Sequence, residues 1–572
     1  MRISVTILAT AGVLVGGCTG RDPGSESGGS TTEGTGTDGP DVPTEAGTGT
    51  TDASEFDGVV APVIGDYLPL GGSPTPLPTD PLTKNLVSTA IFVGADEFPG
   101  VYDGSSRIEF AGVPDGPYML QQVFAYLTRP NDPPVVTWTE TDLRELLMWT
   151  DAHSGRPDVA TTQDPGTSLA ISGTGLQPLT GFDSFELYSY NADVIVFPSP
   201  SFDPEDGTQS PEVGATSLDG WTVPWRPSTS RVVWPLIDPG KGDDVWLAHI
   251  AGRQLVEAPS GAELTDAWSF AVLSRVAAVA KPTMQAMQGG AANAVDGAFT
   301  AVASEQASFD LRVTDFFAAL DQSMGASTGT ACTLTIFREP GVPVPIVGMT
   351  PTLASVSVYS QDLALDPACP PDSCDPDVCD SCASVYAYPG DRVIELEYGD
   401  PYAEGQILVQ TVCTLTNFLS DPETQASERL RARVAVAGTL AEVMAGPIVP
   451  KLGPVRDLRV NGMTAEIDSV TEVTAMPTVS WSPPVIGAPD SYTVSVTAIA
   501  DSEDLDGNPL QRVLRGWVVT QATSVTIPEG LMDPGSFYYI EVLAQSGHTL
   551  GGVVAYTTEL ADATAITGIV TP

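Results

Sequence analysis

The chain has 572 residues, and its 72 acidic and 24 basic side chains give a formal net charge of −48 at pH 7. Binding to nucleic acid phosphates requires clusters of Lys and Arg, so this charge balance excludes a nucleic-acid-binding role. The 56 glycines and 50 prolines disfavour long helices, and we expect a mainly β protein of about three or four domains.

Residues 1–17 have the features of an export signal. Arg2 precedes an uncharged, mostly apolar run that is too short to span a bilayer as a stable helix. The run ends in Val15-Gly16-Gly17-Cys18, which resembles the bacterial lipobox. The resemblance implies that the signal is removed before Cys18 and that acyl chains on this cysteine anchor the protein in a lipid bilayer of the bacterial cell envelope. An ordinary cleaved signal with a chance cysteine, or an uncleaved anchor, is the alternative.

The residues after the lipobox indicate where the protein is held. Thr19 follows the cysteine instead of Asp, and by the sorting rule of enteric bacterial lipoproteins this favours the outer membrane or cell surface. Apart from Cys18, residues 18–58 are almost entirely Gly, Ser, Thr, Pro, Asp and Glu. Such a segment buries too little apolar area to offset its ordering entropy. We predict a disordered acidic tether that holds the folded part away from the membrane.

Beyond the tether, strand and turn signals predict several β-sandwich modules in tandem. Alternating runs such as 107–110 and 430–434 predict strands with one buried face. Short helices are predicted over 142–148 and 314–320. Tight hairpin turns are favoured at Asp-Gly and Asn-Gly pairs, which recur at 103–104, 115–116, 206–207, 219–220, 296–297, 461–462 and 506–507.

Residues 59–160 are predicted to form a β-sandwich-like domain. Within them lies Val113-Pro114-Asp115-Gly116-Pro117-Tyr118-Met119-Leu120, which resembles the strand–turn–strand core of carboxypeptidase-regulatory or transthyretin-like sandwiches. The upstream strand of that family is not evident, so the resemblance covers residues 105–127. It implies a structural module and no chemistry.

Residues 165–448 are predicted to form a β-rich middle region, which resembles no family that we can name. Its most conspicuous feature is a group of four tryptophans. Flat indole rings stack on sugar faces, so these residues are candidates for glycan binding, but Trp on alternating strand positions also packs sheets well. We favour the packing role over glycan stacking for Trp221, Trp225, Trp234 and Trp246.

Six cysteines remain once Cys18 is set aside, and an even number in an exported protein predicts up to three disulfides. The sequence does not determine how these residues pair: Cys332, Cys369, Cys374, Cys379, Cys382 and Cys413. Four of them lie in an acidic, Cys-rich loop over residues 366–382. We expect Cys332 and Cys413 to fasten this loop to the flanking strands.

The Cys-rich loop is also the best candidate for a metal site. Carboxylates of the kind that calcium prefers are present at Asp372, Asp375, Asp377 and Asp380. Zinc bound by the thiolates is a further alternative, although only four residues separate the two cysteine pairs, far fewer than in a zinc ribbon. We favour a disulfide-stapled loop over calcium, and calcium over zinc, and we predict no other cofactor.

Residues 449–572 contain a tryptophan and a tyrosine-bearing strand in a recognisable order. Trp481 lies in Val479-Ser480-Trp481-Ser482, and Pro534-Gly535 precedes alternating apolar residues at Tyr538, Ile540, Val542 and Ala544. The segment is similar to a fibronectin type III domain, in which these residues match the core tryptophan of the second strand and the tyrosine-corner strand. The resemblance implies a two-sheet sandwich, with an enlarged loop over residues 501–508.

The sequence lacks the usual histidine-based metal motifs and phosphate-binding motifs. The three histidines, His153, His249 and His548, are far apart, and no zinc-binding helix or phosphate loop occurs. We expect His249 to be structural. We therefore predict a non-catalytic, membrane-anchored surface lipoprotein whose β modules bind an unknown protein or glycan or contribute to envelope structure. The alternative is an exported, carboxylate-dependent hydrolase acting on glycans, with the C-terminal module as an accessory.

Overall fold

The structure is a computed structural model. It describes residues 58–64, 66–68, 75–76, 86–104, 107–125, 134–144, 146, 148–149, 153–198, 211–227, 233–257, 268–324, 329–339, 351–361, 390–402, 406–420, 427–465, 467, 470–501, 510–547 and 560–572. The predictions for Cys18, for the tether up to residue 57 and for the Cys-rich loop fall outside these residues, and Gly58, the last residue of the predicted tether, begins the first strand.

The first part of the described chain forms short strands around one apolar cluster. Strands β8 and β9 bury alternate residues, as a sheet with one covered face requires. The buried side chains include Ile91, Phe110 and Leu120. The strands are β1 (Gly58–Ile64), β2 (Asp66–Leu68), β3 (Thr75–Pro76), β4 (Leu86–Val93), β5 (Asp96–Pro99), β6 (Val101–Tyr102), β7 (Arg107–Ala111), β8 (Tyr118–Phe124), β9 (Val135–Thr141), β10 (Met148–Trp149) and β11 (His153–Ser154).

The helix predicted over 142–148 is wrong. Its described residues are not helical, and β10 at its end pairs with β1 in parallel. The segment is held extended along β1, because the Leu146 N–H donates to the Val60 carbonyl at 2.9 Å. The Arg144 guanidinium also donates to the Val113 carbonyl at 2.8 Å. These tertiary hydrogen bonds outweigh the local helix signal.

The second part packs two sheets face to face. One has the order β16-β13-β21-β20, and the other contains β15, β14, β18 and β19. Phe185, Leu187, Trp221 and Val295 belong to the apolar cluster of this part. The strands are β12 (Thr161–Thr162), β13 (Ser168–Thr174), β14 (Ser184–Ser189), β15 (Val194–Val196), β16 (Ser217–Pro224), β17 (Trp234–Pro235), β18 (Trp246–Glu257), β19 (Trp268–Ala280), β20 (Thr283–Met284), β21 (Ala292–Ala298) and β22 (Thr300–Ala301).

The third part continues the second sheet in the order β19-β25-β24-β27-β28. Its helix α1 confirms the prediction over 314–320 and buries Phe316, Phe317 and Leu320 in the largest apolar cluster. The elements are β23 (Ser304–Leu311), α1 (Val313–Met324), β24 (Gly329–Glu339), β25 (Thr352–Gln361), β26 (Arg392–Gly399), β27 (Gln406–Ser420), β28 (Ser427–Thr439) and α2 (Leu440–Met444).

The last part consists of two sheets. One has the order β30-β29-β32-β35, and in the other β33 pairs with β34 and β36, and β36 pairs with β37 and β38. Trp481, Tyr492 and Tyr538 are buried in the same large cluster as the third part. The strands are β29 (Arg456–Val460), β30 (Met463–Thr464), β31 (Val470–Glu472), β32 (Thr478–Ser482), β33 (Ser491–Asp501), β34 (Leu510–Thr520), β35 (Ser524–Thr526), β36 (Phe537–Ser546), β37 (Leu560–Ile566) and β38 (Ile569–Thr571).

Two of the predicted hairpin turns show how the local signal succeeds and fails. Asn461 and Gly462 both have positive φ angles, 52° and 78°, and connect β29 to β30, as the pair predicts. Asp296 and Gly297 lie inside β21 instead, so the turn predicted there is wrong. A Cβ on Gly297 would lie 3.0 Å from the Cβ of Ala280, so this glycine allows close packing between strands.

Paired strands connect parts of the chain that are distant in sequence. Val434 of β28 pairs with Ala563 of β37, and Gly516 of β34 pairs with Val136 of β9 in parallel. The largest apolar cluster crosses residue 449, where the sequence predicts a domain boundary. The prediction of a mainly β protein with several sheets is confirmed. Within the described ranges, no helix, including α1 and α2, has the length and apolarity to cross a membrane.

The contact between β9 and β34 depends on the absence of a side chain at Gly516. A Cβ there would lie 2.0 Å from the Val136 carbonyl oxygen, a backbone atom that moves only with its strand. We expect Gly516→Ala to lower the free energy of unfolding by about 1–3 kcal/mol, measured by urea unfolding. Gly446→Ala is the control, because a Cβ at Gly446 has no neighbour within 4 Å. Equal stability of the two variants would contradict a close contact at Gly516.

Candidate functional site

Two of the four tryptophans lie in the core of the second part. Trp225 has 0% exposure and Trp221 4%, and the Trp225 indole N–H donates to the Pro235 carbonyl at 2.9 Å. The Trp221 ring lies 5.5 Å from that of Phe185. Rings buried to this degree have no face available for a sugar, so the packing role describes both residues.

The other two tryptophans are half-buried and pack against neighbouring apolar clusters. Trp234 borders the cluster that contains Trp225. The Lys281 ammonium lies 4.2 Å from the centroid of the Trp246 ring, which is cation–π geometry, and the Tyr402 ring meets the same indole edge-on at 5.6 Å. The chain's own lysine therefore occupies one face of Trp246.

His249 forms a buried pair with a carboxylate, as its predicted structural role requires. Its Nε2 lies 2.9 Å from Asp183 Oδ2, and its side chain has 0% exposure. Burial opposes ionisation of Asp183, but hydrogen bonds from His249, from Thr180 and from backbone N–H groups hold its pKa below the ordinary value. Of the other histidines, His153 lies on β11 and His548 is outside the described residues.

A second buried ion pair, between Arg156 and Asp243, lies at the start of the second part. Arg156 donates from Nε and Nη2 to the two carboxylate oxygens of Asp243, both at 2.8 Å. Asp243 also accepts from the Asp238 N–H at 2.6 Å. On the outer side of Arg156, hydrogen bonds from Lys241 and Arg156 lower the pKa of Asp158 to about 2. This bidentate network ties the segment before β12 to the loop before β18.

Glu186 is a buried carboxyl that the sequence analysis did not single out. It lies on β14 beside Tyr188, with 2% exposure, and its Oε1 has no hydrogen-bond partner among the described residues. Burial raises its pKa to about 8, although the Thr352 N–H donates to the carboxyl. The signal in the sequence is an acidic residue inside the otherwise apolar and aromatic stretch 185–188 of β14 (Ser184–Ser189).

The structure pairs two of the six cysteines. Cys332 and Cys413 face each other on β24 and β27 and form a disulfide. They therefore join these strands to each other, whereas we expected them to fasten the Cys-rich loop. The remaining predicted positions lie outside the described ranges: Cys369, Cys374, Cys379, Cys382, Asp372, Asp375, Asp377 and Asp380. Within the described ranges, no group of three or more His, Cys, Asp or Glu is arranged to hold a metal ion.

The chain matches no protein-family model and no curated protein. Among solved structures, it is similar to a streptococcal ancillary pilin at 11% identity, over 65% of this chain and 95% of the pilin, with a TM-score of 0.10. It is also similar to native E. coli alpha-2-macroglobulin at 8% identity, over 84% of this chain and 26% of that one, with a TM-score of 0.12. At such TM-scores neither similarity carries an argument.

Proposed function

We propose that this chain is a non-catalytic lipoprotein of the bacterial cell envelope, anchored through Cys18, that presents connected β modules to a protein or glycan partner or to the envelope itself. The observation that carries this proposal is the strand pairing between distant parts of the chain, through β28 and β37 and through β9 and β34. A continuous sheet gives a stiff scaffold, which suits presentation at a surface.

The C-terminal module supports the proposed fibronectin type III-like identity. Its strand pairing places β29, β32 and β35 in one sheet and β33, β34, β36 and β37 in the other. The rings of Trp481 and Tyr492 meet edge-on at 5.1 Å. The Tyr538 hydroxyl accepts from the Asp533 N–H at 2.7 Å, the type of local contact that a tyrosine corner makes.

The hydrolase alternative gains no support from Glu186, the buried carboxyl of β14. Glu186, whose pKa is raised to about 8, would suit a general acid by its pKa. Its 2% exposure leaves a glycan no access to it. Incubation with a panel of polysaccharides distinguishes the binding role from the hydrolase alternative. Retention of the protein on a polysaccharide without turnover supports the binding role. Reproducible formation of new reducing ends would overturn it.

Anchoring through Cys18 predicts a clear difference between two cysteine variants. In cells supplied with labelled palmitate, we expect Cys18→Ser to abolish labelling and membrane retention, since the acceptor sulfur is removed. Cys374→Ser, the control, keeps the lipobox and should remain labelled and in the membrane fraction. Labelling that persists in Cys18→Ser, or wild-type protein found in the cytosol with its leader intact, would contradict the proposal.

Calcium binding by the Cys-rich loop stays a prediction. Because a ligand that binds only the folded state raises its stability, structural calcium bound at the four aspartates should raise the melting temperature relative to chelator. The same melting temperature in calcium and in chelator would rule out calcium as a structural ion.

A further inference from the structure

Glu186 lies where the second and third parts of the chain meet. On β14 it pairs with Ala248 of β18, while Phe185 and Leu187 of the same strand face the core on the other side of the sheet. Its carboxyl accepts from the N–H of Thr352, the first residue of β25. The side chain therefore connects the strand pair of the second part to a strand of the third.

Aromatic rings complete this contact. The Tyr402 ring, from the segment after β26, meets the Tyr188 ring edge-on at 6.3 Å and the Trp246 ring at 5.6 Å. Within the described part of the chain, Glu186 Oε1 and the Tyr402 hydroxyl are buried without hydrogen-bond partners. We call Glu186, Tyr188, Trp246, Thr352 and Tyr402 the Glu186 junction.

The charged groups around the junction are already paired. Burial raises the pKa of Tyr402 well above its ordinary value, and the nearby Glu186, Tyr188 and Asp400 raise it further. Three salt bridges involve the neighbouring charges: Arg338–Asp400 at 3.3 Å, Arg275–Glu397 at 3.4 Å and Lys281–Asp244 at 3.3 Å. Burial dominates the balance at Glu186, and the only opposing contribution is the Thr352 N–H.

We propose that the Glu186 junction is a pH-sensitive contact between the second and third parts: the neutral carboxyl keeps it closed, and loss of its proton to water opens it. The physical reason is that an ionised carboxylate without a cation is costly to keep in an apolar, aromatic site. Once the contact opens, water solvates the carboxylate. This inference does not depend on the proposed envelope function.

The direction of the pH effect follows from the two pKa values. Glu186 has an ordinary pKa of 4.5 when solvated and a pKa of about 8 in the closed junction. Between pH 4.5 and about 8, Glu186 is therefore protonated in the closed state and ionised in the open state. The proton stabilises the closed state fully below pH 4.5, and this stabilisation is lost as the pH rises to about 8. The population of the open state should therefore rise about tenfold per pH unit over this range and level off above it.

Hydrogen exchange of the Thr352 amide measures the opening, because its N–H donates to the Glu186 carboxyl. In the intact protein, with exchange corrected for intrinsic rates, we expect the tenfold rise per pH unit in the wild type and a flat profile in Glu186→Gln, whose amide stays neutral. Glu395→Gln is the control and should behave as the wild type, since Glu395 is exposed on β26 and accepts from Ser308 at 2.8 Å.

Two results would overturn the proposal. One is a Glu186→Gln profile with the same pH dependence as the wild type. The other comes from the wild type alone and applies even if the variant does not fold: an infrared titration that shows no protonated carboxyl near pH 6.5. A protonated carboxyl that persists there and disappears as the pH passes about 8 supports the proposal.

Discussion

Asp243→Ala is expected to lower the free energy of unfolding of the second part by about 3–5 kcal/mol, because it breaks a buried ion pair and leaves Arg156 to the exposed carboxylate of Asp158. Arg156 has 8% exposure, and both Asp243 oxygens accept from it at 2.8 Å. The loss of Asp243 also leaves the Asp238 N–H without its acceptor. Urea unfolding followed by circular dichroism measures the change.

The neighbouring residue provides a matched control for this prediction. Asp244 pairs with Lys281 at 3.3 Å, but the Asp244 side chain is 68% exposed. An exposed pair of this kind contributes about 0–1 kcal/mol, so Asp244→Ala should unfold near the wild-type midpoint. If Asp243→Ala and Asp244→Ala lost the same stability, the buried network would not have the role given to it here.

Trp225→Ala is expected to cost about 3–5 kcal/mol, the usual loss when a fully buried aromatic side chain is truncated in a core. The variant also loses the indole hydrogen bond to the Pro235 carbonyl. Circular dichroism is the suitable probe for urea unfolding, because removal of an indole changes the fluorescence.

Trp246→Ala separates packing from ligand binding. Its ring is half-buried and carries the Lys281 ammonium on one face, so its truncation should cost about 1–2 kcal/mol. A stability loss in Trp225→Ala no larger than in Trp246→Ala would contradict the core assignment. Reduced retention on a glycan in a stable Trp246→Ala variant would show that this ring contributes to binding.

Local patterns in the sequence predict local structure well here. The alternation over 430–434 appears in β28, where Leu430, Ala432 and Val434 are buried and Arg431 is exposed. The apolar spacing over 314–320 predicts α1 in the same way, because the helix buries one face against a sheet. In both cases the spacing of apolar side chains along the element determines which residues are buried when the protein folds.

Long-range pairing is not encoded in this way. Nothing near Val136 or Gly516 indicates that β9 and β34 are neighbours, and the pairing of Cys332 with Cys413 is one of many combinations that the sequence allows. The burial of Glu186 was missed for the same reason, since its neighbours Thr352 and Tyr402 lie far along the chain. The helix signal over 142–148 failed because hydrogen bonds to β1 hold that segment extended.

Strand β34 at one side of the larger C-terminal sheet is paired with β9, and β37 at the other side is paired with β28. An unpaired strand at the rim of a sheet is a template on which other chains can add and aggregate. Here part of each rim is covered by a strand of the same polypeptide, at 516–519 of β34 and at 560–563 of β37, which would hinder polymerisation of many copies through this sheet. Cutting out 449–572 as a separate recombinant fragment would uncover both rims at once, so that fragment should be far more prone to aggregate than the whole chain.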